Sequence, residues 1–351
     1  MGDRHVTTDL RVSSCSPEQV DRGEWEELAD RAPTPPGLSQ HYDFSLVDAQ
    51  AGLESRFLVI RTPEGRLVGG ARITLEKRLP ARHVEMFGGP MFLPGFEAEG
   101  RALVSKQLRD SVLVVDSGLI LPAPGYPWHL DEYGLHSSGV PLETVIVDLL
   151  RTEEELWRGV DHSVRQGVRK AKEHGLTVRE VTDEREVERI YPLIDRFGRV
   201  RDFAPISQSR LLSAFRVFQP AGRVHILVCE VGGTVGGVSV VLLANQRAQL
   251  LVVASAPEYQ KVQLTSLLDW ETFRFSRAHG ATSLDFMGLP PAGSGLEGIR
   301  RFKLKWGGRV VAEEEYLEGV LFRLATNFVR RWPSLFKPIL MQRGPFRNGI
   351  R

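Results

Sequence analysis

The chain has 351 residues, of which 42% are hydrophobic and 25% are charged, an ordinary composition for a folded globular protein. This composition excludes a disordered chain, a collagen-like chain and a coiled-coil rod. Lys and Arg total 45 against 44 Asp and Glu, so any nucleic-acid surface must come from local clustering of charge. At roughly 150 residues per domain, the length predicts two domains or a single large one.

Several classes of protein are excluded by what the sequence lacks. Two cysteines, Cys15 and Cys229, are too few for a disulfide framework or a zinc site, which indicates a reducing compartment. The N-terminus has no apolar signal segment, and no run of 18 apolar residues occurs. We therefore expect a cytoplasmic protein. The phosphate-binding P-loop, the H-E-x-x-H zinc motif, C-x-x-C and G-x-S-x-G are all absent, so we expect no metal ion and no resident cofactor.

The first half of the chain alternates helical and strand patterns. In chain order it predicts a helix at 24–30, strands at 57–61 and 67–75, an apolar run at 83–92, a helix at 99–110, and strands at 112–115 and 144–150. The turn Pro63-Glu64-Gly65 joins the first two strands as a hairpin. The stretch 121–133, rich in Pro, Gly and aromatic residues, indicates a loop.

The second half follows the same order. It predicts a helix at 153–175, a strand at 176–181, helices at 184–198 and 209–218, strands at 225–231, 235–243 and 249–254, a helix at 262–279 and a strand at 281–287. Gly232-Gly233 is typical of a two-residue hairpin turn, and Gly280 is typical of a left-handed helix cap. We therefore expect a duplicated mixed α/β fold, with one domain at 1–148 plus about 310–351 and the other at 149–309.

Three basic segments are candidates for chemistry. On a helix, His162, Arg165, Arg169 and Lys172 share one face, which indicates either contact with phosphates, in RNA or in a diphosphate-bearing substrate, or a solvated basic surface. Five cations lie within 300–309, interleaved with two aromatic residues, and suit either stacking on a base or a strand with a basic edge.

The third basic segment is the tail from residue 319 to residue 351. It has no acidic residue and seven Lys or Arg, with apolar residues interspersed. Three interpretations stay open, namely a core helix with a basic outer face, contact with an anionic membrane surface, and contact with RNA.

Taken together, these motifs resemble the FemABX family of aminoacyl-tRNA-dependent peptidyltransferases, which are built from two GNAT-like domains. The resemblance rests on SVRQGVRKAK at 163–172, LDFMG at 284–288 and FKLKWGG at 302–308, with MFGGP at 86–90 in the first half. It covers nearly the whole chain and implies a mixed α/β fold of two GNAT-like acyltransferase domains in tandem. The coiled-coil arm of some members is absent, because no helical hairpin interrupts 258–280.

The resemblance also implies roles for particular residues. Phe302 and Lys303 match the catalytic channel, where a cation would offset charge on the tetrahedral intermediate. The residues expected to bind tRNA are Arg165, Arg169, Lys172, Arg301 and Lys305. The residues expected to bind the acceptor are Arg199, Arg201 and Tyr42. Position 287 carries Met where the family usually has Gly, which bears on the choice of acceptor.

Coenzyme A is disfavoured as the acyl donor. In acyl-CoA enzymes of the GNAT fold, a glycine-rich turn opens the helix after the third meander strand and holds the diphosphate on its amides. Here the corresponding segment, 259–264, reads YQKVQL and has no glycine. A charged tRNA needs no such cradle, and its ester is already activated for attack by an amine.

The predicted activity is therefore the transfer of an amino acid from aminoacyl-tRNA to an amine, forming a peptide bond. The expected acceptor is a peptidoglycan precursor (lipid II or UDP-MurNAc-pentapeptide) or a related small-peptide or natural-product amine. Two alternatives stay open, an acyl-CoA-dependent N-acyltransferase of the same fold and a non-catalytic envelope or RNA-binding protein. The expected partners are aminoacyl-tRNA and the acceptor, with the basic tail as a candidate contact to the inner membrane face.

Overall fold

The computed structural model describes residues 9–78, 81–111, 117–122, 128, 142–201, 205–290, 292–293 and 296–318. The chain divides into two compact units, Met1–Val140 with Glu313–Thr326 and Pro141–Ala312 with Asn327–Arg351. The predicted segments at 112–115 and 319–351, and most of the predicted loop at 121–133, lie outside the described residues.

The first unit is a mainly antiparallel sheet with helices packed on it. Its strands are β1 (Arg11–Cys15), β2 (Glu54–Arg61), β3 (Leu67–Arg78), β4 (Ala81–Phe87), β5 (Met91–Phe92) and β6 (Ser117–Leu121). Its helices are α1 (Arg22–Arg31), α2 (Phe44–Gln50) and α3 (Glu97–Ser111). Strands β1 to β4 pair antiparallel in sequence, and β6 then adds parallel to β4.

The apolar core of this unit explains the run of successive apolar residues, Phe57 to Ile60, in β2. The middle of β2 is fully buried, and Trp25 and Leu28 of α1 pack into the same core. A strand covered on both faces needs apolar residues at successive positions, which is the pattern that the sequence shows. The Met86–Pro90 motif ends β4 and packs closely, because a Cβ on Gly88 would lie 2.6 Å from the Cα of Gly37.

The second unit repeats this arrangement on a larger scale. Its strands are β7 (Leu142–Asp148), β8 (Thr177–Glu180), β9 (Val224–Val231), β10 (Thr234–Ala244), β11 (Arg247–Ser255), β12 (Ser283–Asp285) and β13 (Arg309–Glu318). Its helices are α4 (Glu153–Gly159), α5 (His162–Glu173), α6 (Glu184–Arg201), α7 (Gln208–Phe218), α8 (Leu264–Ala278) and α9 (Glu297–Leu304). Strand β13 continues into the first unit, where it pairs antiparallel with β6.

The two units share one order of elements, as the sequence predicts. In the second unit β8, β9, β10 and β11 form an antiparallel meander, α8 follows, and β12 pairs parallel with β11. The first unit repeats this order with β2, β3, β4, α3 and β6. Gly232 and Gly233 turn between β9 and β10 with φ of 57° and 80°, as a two-residue hairpin requires.

Three boundaries differ from the predictions. Strand β7 lies in the second unit instead of closing the first, because it pairs with β12. The predicted helix at 153–175 is two helices, because Val160 adopts an extended conformation and Asp161 begins a new N-cap. The basic segment near Phe302 forms helix α9, so the alternative of a basic strand there is wrong.

Between β11 and β12 the chain forms only a short 3-10 helix at Pro257–Val262 and helix α8, so the predicted absence of a coiled-coil arm is confirmed. In the portion of the chain that the structure describes, no helix is long and apolar enough to cross a membrane.

Candidate functional site

Helix α5 carries the first basic motif and packs its other face on α8. Asp161 caps its N-terminus by accepting the Ser163 amide at 2.9 Å. The buried residues are Val164, Gly167, Val168 and Ala171. This spacing places one apolar stripe along the helix, as predicted, and leaves the basic residues on the other side.

Gly167 sets how closely α5 approaches the start of α8. A Cβ at this position would lie 2.9 Å from Ser266 Oγ and 3.0 Å from Gln263 Oε1. Gln263 begins α8 with a left-handed backbone, φ 59°, which is a strained conformation for a residue with a side chain. At Gly167, therefore, α5 meets polar side-chain atoms of α8.

The predicted tRNA-binding residues of α5 make contacts within the protein. Arg165 Nη1 donates to the carbonyl oxygens of Trp157, Arg158 and Val160, at 3.2, 2.9 and 2.8 Å, and so caps the C-terminal end of α4. The Arg169 guanidinium lies 5.9 Å from the centre of the Trp157 ring. Lys172 pairs with Glu271 at 3.1 Å. Binding of tRNA by these three residues stays a prediction, and their contacts give them a structural role as well.

Lys303 of α9 holds the turn that follows β12. Its ammonium donates to the carbonyl oxygens of Phe286, Met287 and Gly288, at 2.9, 2.8 and 2.5 Å. Met287 and Gly288 both have positive φ, 46° and 66°. Three donors on three carbonyls stabilise a turn that a non-glycine residue adopts only at a cost. Lys303, the predicted catalytic lysine, therefore also stabilises the backbone of the LDFMG motif.

The end of α9 reaches the start of α5. Lys305 Nζ donates to Ser163 Oγ at 2.8 Å, and the Asp161 amide donates to the Lys305 carbonyl oxygen at 2.8 Å. Ser163 in turn donates to Asp161 Oδ1, and these bonds hold the pKa of the Asp161 carboxyl below its usual value. The remaining predicted tRNA residue, Arg301, is exposed and contacts the Glu297 carbonyl oxygen at 3.4 Å.

A cavity of about 380 Å³ opens where α5, α8 and α9 meet. Its lining residues are Ser163, Val164, Gln166, Gly167, Lys170, Gln263, Ser266, Phe302 and Lys305. Two predicted site residues, Phe302 and Lys305, therefore face one cavity. Lys170, Gln263 and Ser266 could not be predicted as site residues, because the basic face of α5 and the uncapped start of α8 become neighbours only in the folded unit.

Asp269 is a further residue that the sequence does not reveal. It lies one turn beyond Ser266 on α8, is 1% exposed, and neither carboxyl oxygen has a hydrogen-bond partner among the described residues. Burial raises the pKa of the Asp269 carboxyl to about 8, against the opposing effect of the Lys303 charge. Trp306 is also buried here, with its ring 4.9 Å from that of Phe273, one turn beyond Asp269.

The predicted acceptor residues are not among those that line this cavity. Tyr42 belongs to the first unit, where its hydroxyl donates to the Pro17 carbonyl oxygen at 2.7 Å and its ring stacks on Phe57. Arg199 on α6 is exposed and pairs with Asp195 at 2.6 Å. Arg201 is the last residue of α6, and its side chain is outside the described part. Acceptor binding by these three residues stays a prediction, and none of them lines the α5–α8–α9 cavity.

Comparison with a known domain family and with solved structures identifies the fold. Residues 158–312 match the Acetyltransferase (GNAT) domain family. FemX has a similar structure, with a TM-score of 0.67 over 93% of this chain and 99% of FemX at 14% identity. L-PGS from Bacillus licheniformis aligns with a TM-score of 0.55 over 92% of this chain and 97% of that one, at 13% identity.

A tandem GNAT protein from the clavulanic acid biosynthesis pathway is similar as well, with a TM-score of 0.54 over 89% of this chain and 99% of that one, at 16% identity. Among curated proteins, none matches the sequence. The chain has the tandem GNAT fold of FemX, and the resemblance to the FemABX family is confirmed at the level of the fold.

Proposed function

We propose that this protein transfers an aminoacyl group from aminoacyl-tRNA to an amine and so forms a peptide bond. The α5–α8–α9 cavity is the observation that carries the proposal. It joins two ammonium groups, Lys170 and Lys305, to the aromatic ring of Phe302 and includes no carboxylate among its lining residues. Cations beside an aromatic ring suit the phosphates and bases of a single-stranded RNA end.

The start of α8 supports a donor other than coenzyme A. A glycine-rich turn would expose backbone amides to a diphosphate, whereas this helix begins at Gln263, whose Oε1 atom faces α5. Gly236 of β10 packs against the segment that leads into α8, because a Cβ there would lie 2.6 Å from the Tyr259 ring. These residues do not fit the coenzyme as a glycine turn would.

The proposed reaction needs few groups from the protein. The acceptor nitrogen attacks the ester carbon, the new C–N bond forms, and the C–O bond to the terminal ribose breaks. The amine loses its proton, and the ribose oxygen leaves as a hydroxyl. The enzyme must orient the two substrates and stabilise the negative oxygen of the tetrahedral intermediate. Lys303 would serve that oxygen by exchanging one of its three carbonyl partners for it.

The acceptor in this proposal is a peptidoglycan precursor or a related small-peptide amine. A direct test is a screen of tRNAs charged with labelled amino acids against lipid-linked and nucleotide-linked muropeptides. We expect at least one pair to give labelled peptide product in proportion to enzyme. No product from any pair, with active charged tRNA shown by a control enzyme, would contradict the proposal.

Lys303 provides the matched test of the site. We expect Lys303→Met to lower the transfer rate by about 10²-fold or more, as loss of a donor to an oxyanion commonly does. Because the substitution also frees the turn at 286–288, circular dichroism and thermal unfolding must show that the variant folds. Lys303→Arg, which keeps the charge, should retain the fold and recover part of the rate. A folded Lys303→Met variant with an unchanged rate would remove this assignment.

A second candidate function is N-acylation from acyl-CoA, which the match of residues 158–312 to the Acetyltransferase (GNAT) domain favours. The same acceptors incubated with labelled acetyl-CoA separate the two candidates. Acetyl transfer without any aminoacyl transfer would select this second function.

A further inference from the structure

Two buried polar groups, one on α8 and one just beyond α9, have no hydrogen-bond partner in the part of the chain that the structure describes. Asp269 of α8 is 1% exposed, and both of its carboxyl oxygens lack a partner there. Trp306, two residues after α9, is buried as deeply, and its indole Nε1 lacks one as well. Buried polar atoms without partners are rare in folded proteins, so each of them calls for an explanation.

The Asp269 carboxyl and the Lys303 ammonium approach one aromatic cluster from different helices. Phe273, one turn beyond Asp269 on α8, has its ring 5.8 Å from that of Phe286 and 4.9 Å from that of Trp306. Lys303 of α9 donates to the Phe286 carbonyl oxygen at 2.9 Å, and its own carbonyl oxygen accepts the Trp306 amide at 3.3 Å. All three rings are buried, so the medium around the two groups is apolar.

Lys303 supplies the charge that acts on the Asp269 carboxyl among the described residues. Strand β10, which packs on α8, has no ionisable side chain, and on β9 burial raises the pKa of the Cys229 thiol to about 12, so this thiol stays neutral. Charged residues of the surrounding elements pair with one another, and these pairs are Glu271 with Lys172, Arg300 with Glu143, and Asp285 with Arg247. In an apolar medium, the ionisation of Asp269 would therefore act strongly on the Lys303 charge.

We propose that Asp269 is a positioning residue that acts through Lys303: its neutral carboxyl leaves the Lys303 charge available to the reacting oxygen, and its ionised carboxylate offsets that charge. This role rests on the proposed function, in which Lys303 stabilises the tetrahedral oxygen. Asp269 makes no bond to the substrate, which agrees with its burial. Burial raises the pKa of Asp269 to about 8, so the neutral form prevails below that pH.

The link between Asp269 and Lys303 can be measured without a substrate. The infrared band of a protonated carboxyl group, taken as the difference between each protein and its matching Asp269→Asn variant, follows the ionisation of Asp269 as the pH is raised. We expect a midpoint near pH 8 in the wild type. In Lys303→Met the midpoint should lie at higher pH, because the cation that lowers this pKa is gone.

Lys106→Met, which removes an exposed lysine of α3, is the matched control and should leave the midpoint unchanged. Circular dichroism and thermal unfolding must show that each variant folds, and Lys303→Gln replaces Lys303→Met if that variant does not. Equal midpoints in the wild type and in the folded Lys303 variant would overturn the link between the two residues.

The effect on the reaction is measured as the ratio of the wild-type rate to the Asp269→Asn rate, from pH 6.5 to pH 9. Ionisation of the substrates cancels in this ratio, because both proteins use the same charged tRNA and acceptor. We expect the ratio to fall roughly fivefold, because only the wild type acquires the carboxylate. Asp269→Glu should restore a rate that depends on pH in the same direction. Asp30→Asn, which removes an exposed carboxylate of α1, should give a ratio that does not vary with pH.

The outcomes separate this role from the proposed function. A ratio for Asp269→Asn that stays constant with pH, in a protein that transfers aminoacyl groups, would overturn the role of Asp269 and leave the proposed function standing. A shifted infrared midpoint in the Lys303 variant without transfer from any charged tRNA would contradict the proposed function, while the link between Asp269 and Lys303 would be supported.

Discussion

The Asp269 carboxyl group is buried without a hydrogen bond from any described residue. Burial of its charged form costs free energy, and this cost raises its pKa. Burial raises the pKa of Asp269 from 3.8 to about 8, although the Lys303 charge acts in the opposite direction. The folded protein therefore holds this proton over a range of pH in which the unfolded chain releases it. The contribution to stability is complete below pH 3.8 and is lost as the pH rises to about 8.

This difference in pKa between the folded and the unfolded protein predicts how stability depends on pH. Because the folded protein holds a proton that the unfolded chain releases, the free energy of unfolding falls as the pH rises through this range. Asp269→Asn cannot ionise, so its free energy of unfolding in urea should decline less than that of the wild type from pH 5 to pH 8. If the two proteins keep a constant difference in unfolding free energy over this range, the raised pKa of Asp269 is contradicted.

Asp269 shows which features of the site cannot be predicted from the sequence. Phe302 and Lys305 could be predicted as site residues because their motif is local and distinctive, and both line the cavity. Lys303 could be predicted as a site residue, but its hydrogen bonds could not. The three carbonyl groups that accept them lie 15 to 17 positions earlier in the chain. Asp269 looked like any polar residue of an amphipathic helix, and only its packing in the folded unit shows that it is buried.

Among the elements, the contact between α5 and α8 decides the shape of the cavity. Gly167 allows this contact, and the atoms that a Cβ would approach belong to Gln263 and Ser266. Gln263 Oε1 and Ser266 Oγ are side-chain ends at the edge of the cavity, whereas Ser266 Cβ, 3.2 Å away, would have to move by a few tenths of an ångström. The strands, the helices and their order could be predicted from hydrophobic periodicity and turn residues. The close approach of α5 to α8 could not, because periodicity does not specify which helix faces pack together.

Gly167→Ala should therefore separate stability from binding. Replacing a helical glycine with alanine stabilises the helix by up to about 1 kcal/mol, so we expect the melting temperature to be unchanged or higher. Binding of an RNA oligonucleotide that ends in CCA should weaken, because the new methyl group displaces Gln263 and Ser266 from the positions that they hold.

Gly159→Ala is the matched control, because its Cβ would lie 3.9 Å from the Arg151 side chain, an ordinary contact. This variant should keep the affinity of the wild type. Equal affinity in the Gly167→Ala variant, confirmed folded, would show that the α5–α8 contact does not shape the binding site.

At the scale of the whole molecule, the net charge is only +1, but basic residues are clustered locally. The second unit gathers its cavity cations on α5 and α9, and the surrounding arginines of α5 are held by carbonyl groups and an indole ring. The repeated order of elements in the two units was predictable, because each half has its own meander, helix and parallel strand. The boundary at residue 148 was not, because β7 follows the first half in sequence but pairs with β12.

We propose that the second unit binds an RNA carrier and not a coenzyme. The most direct measurement is the affinity of the wild-type chain for a non-hydrolysable aminoacyl-tRNA and for coenzyme A, over a series of salt concentrations. We predict saturable tRNA binding whose affinity falls steeply and linearly on a log–log plot against salt, as release of counterions requires, and no saturable binding of coenzyme A. Tight coenzyme A binding together with tRNA binding that does not change with salt would contradict the account.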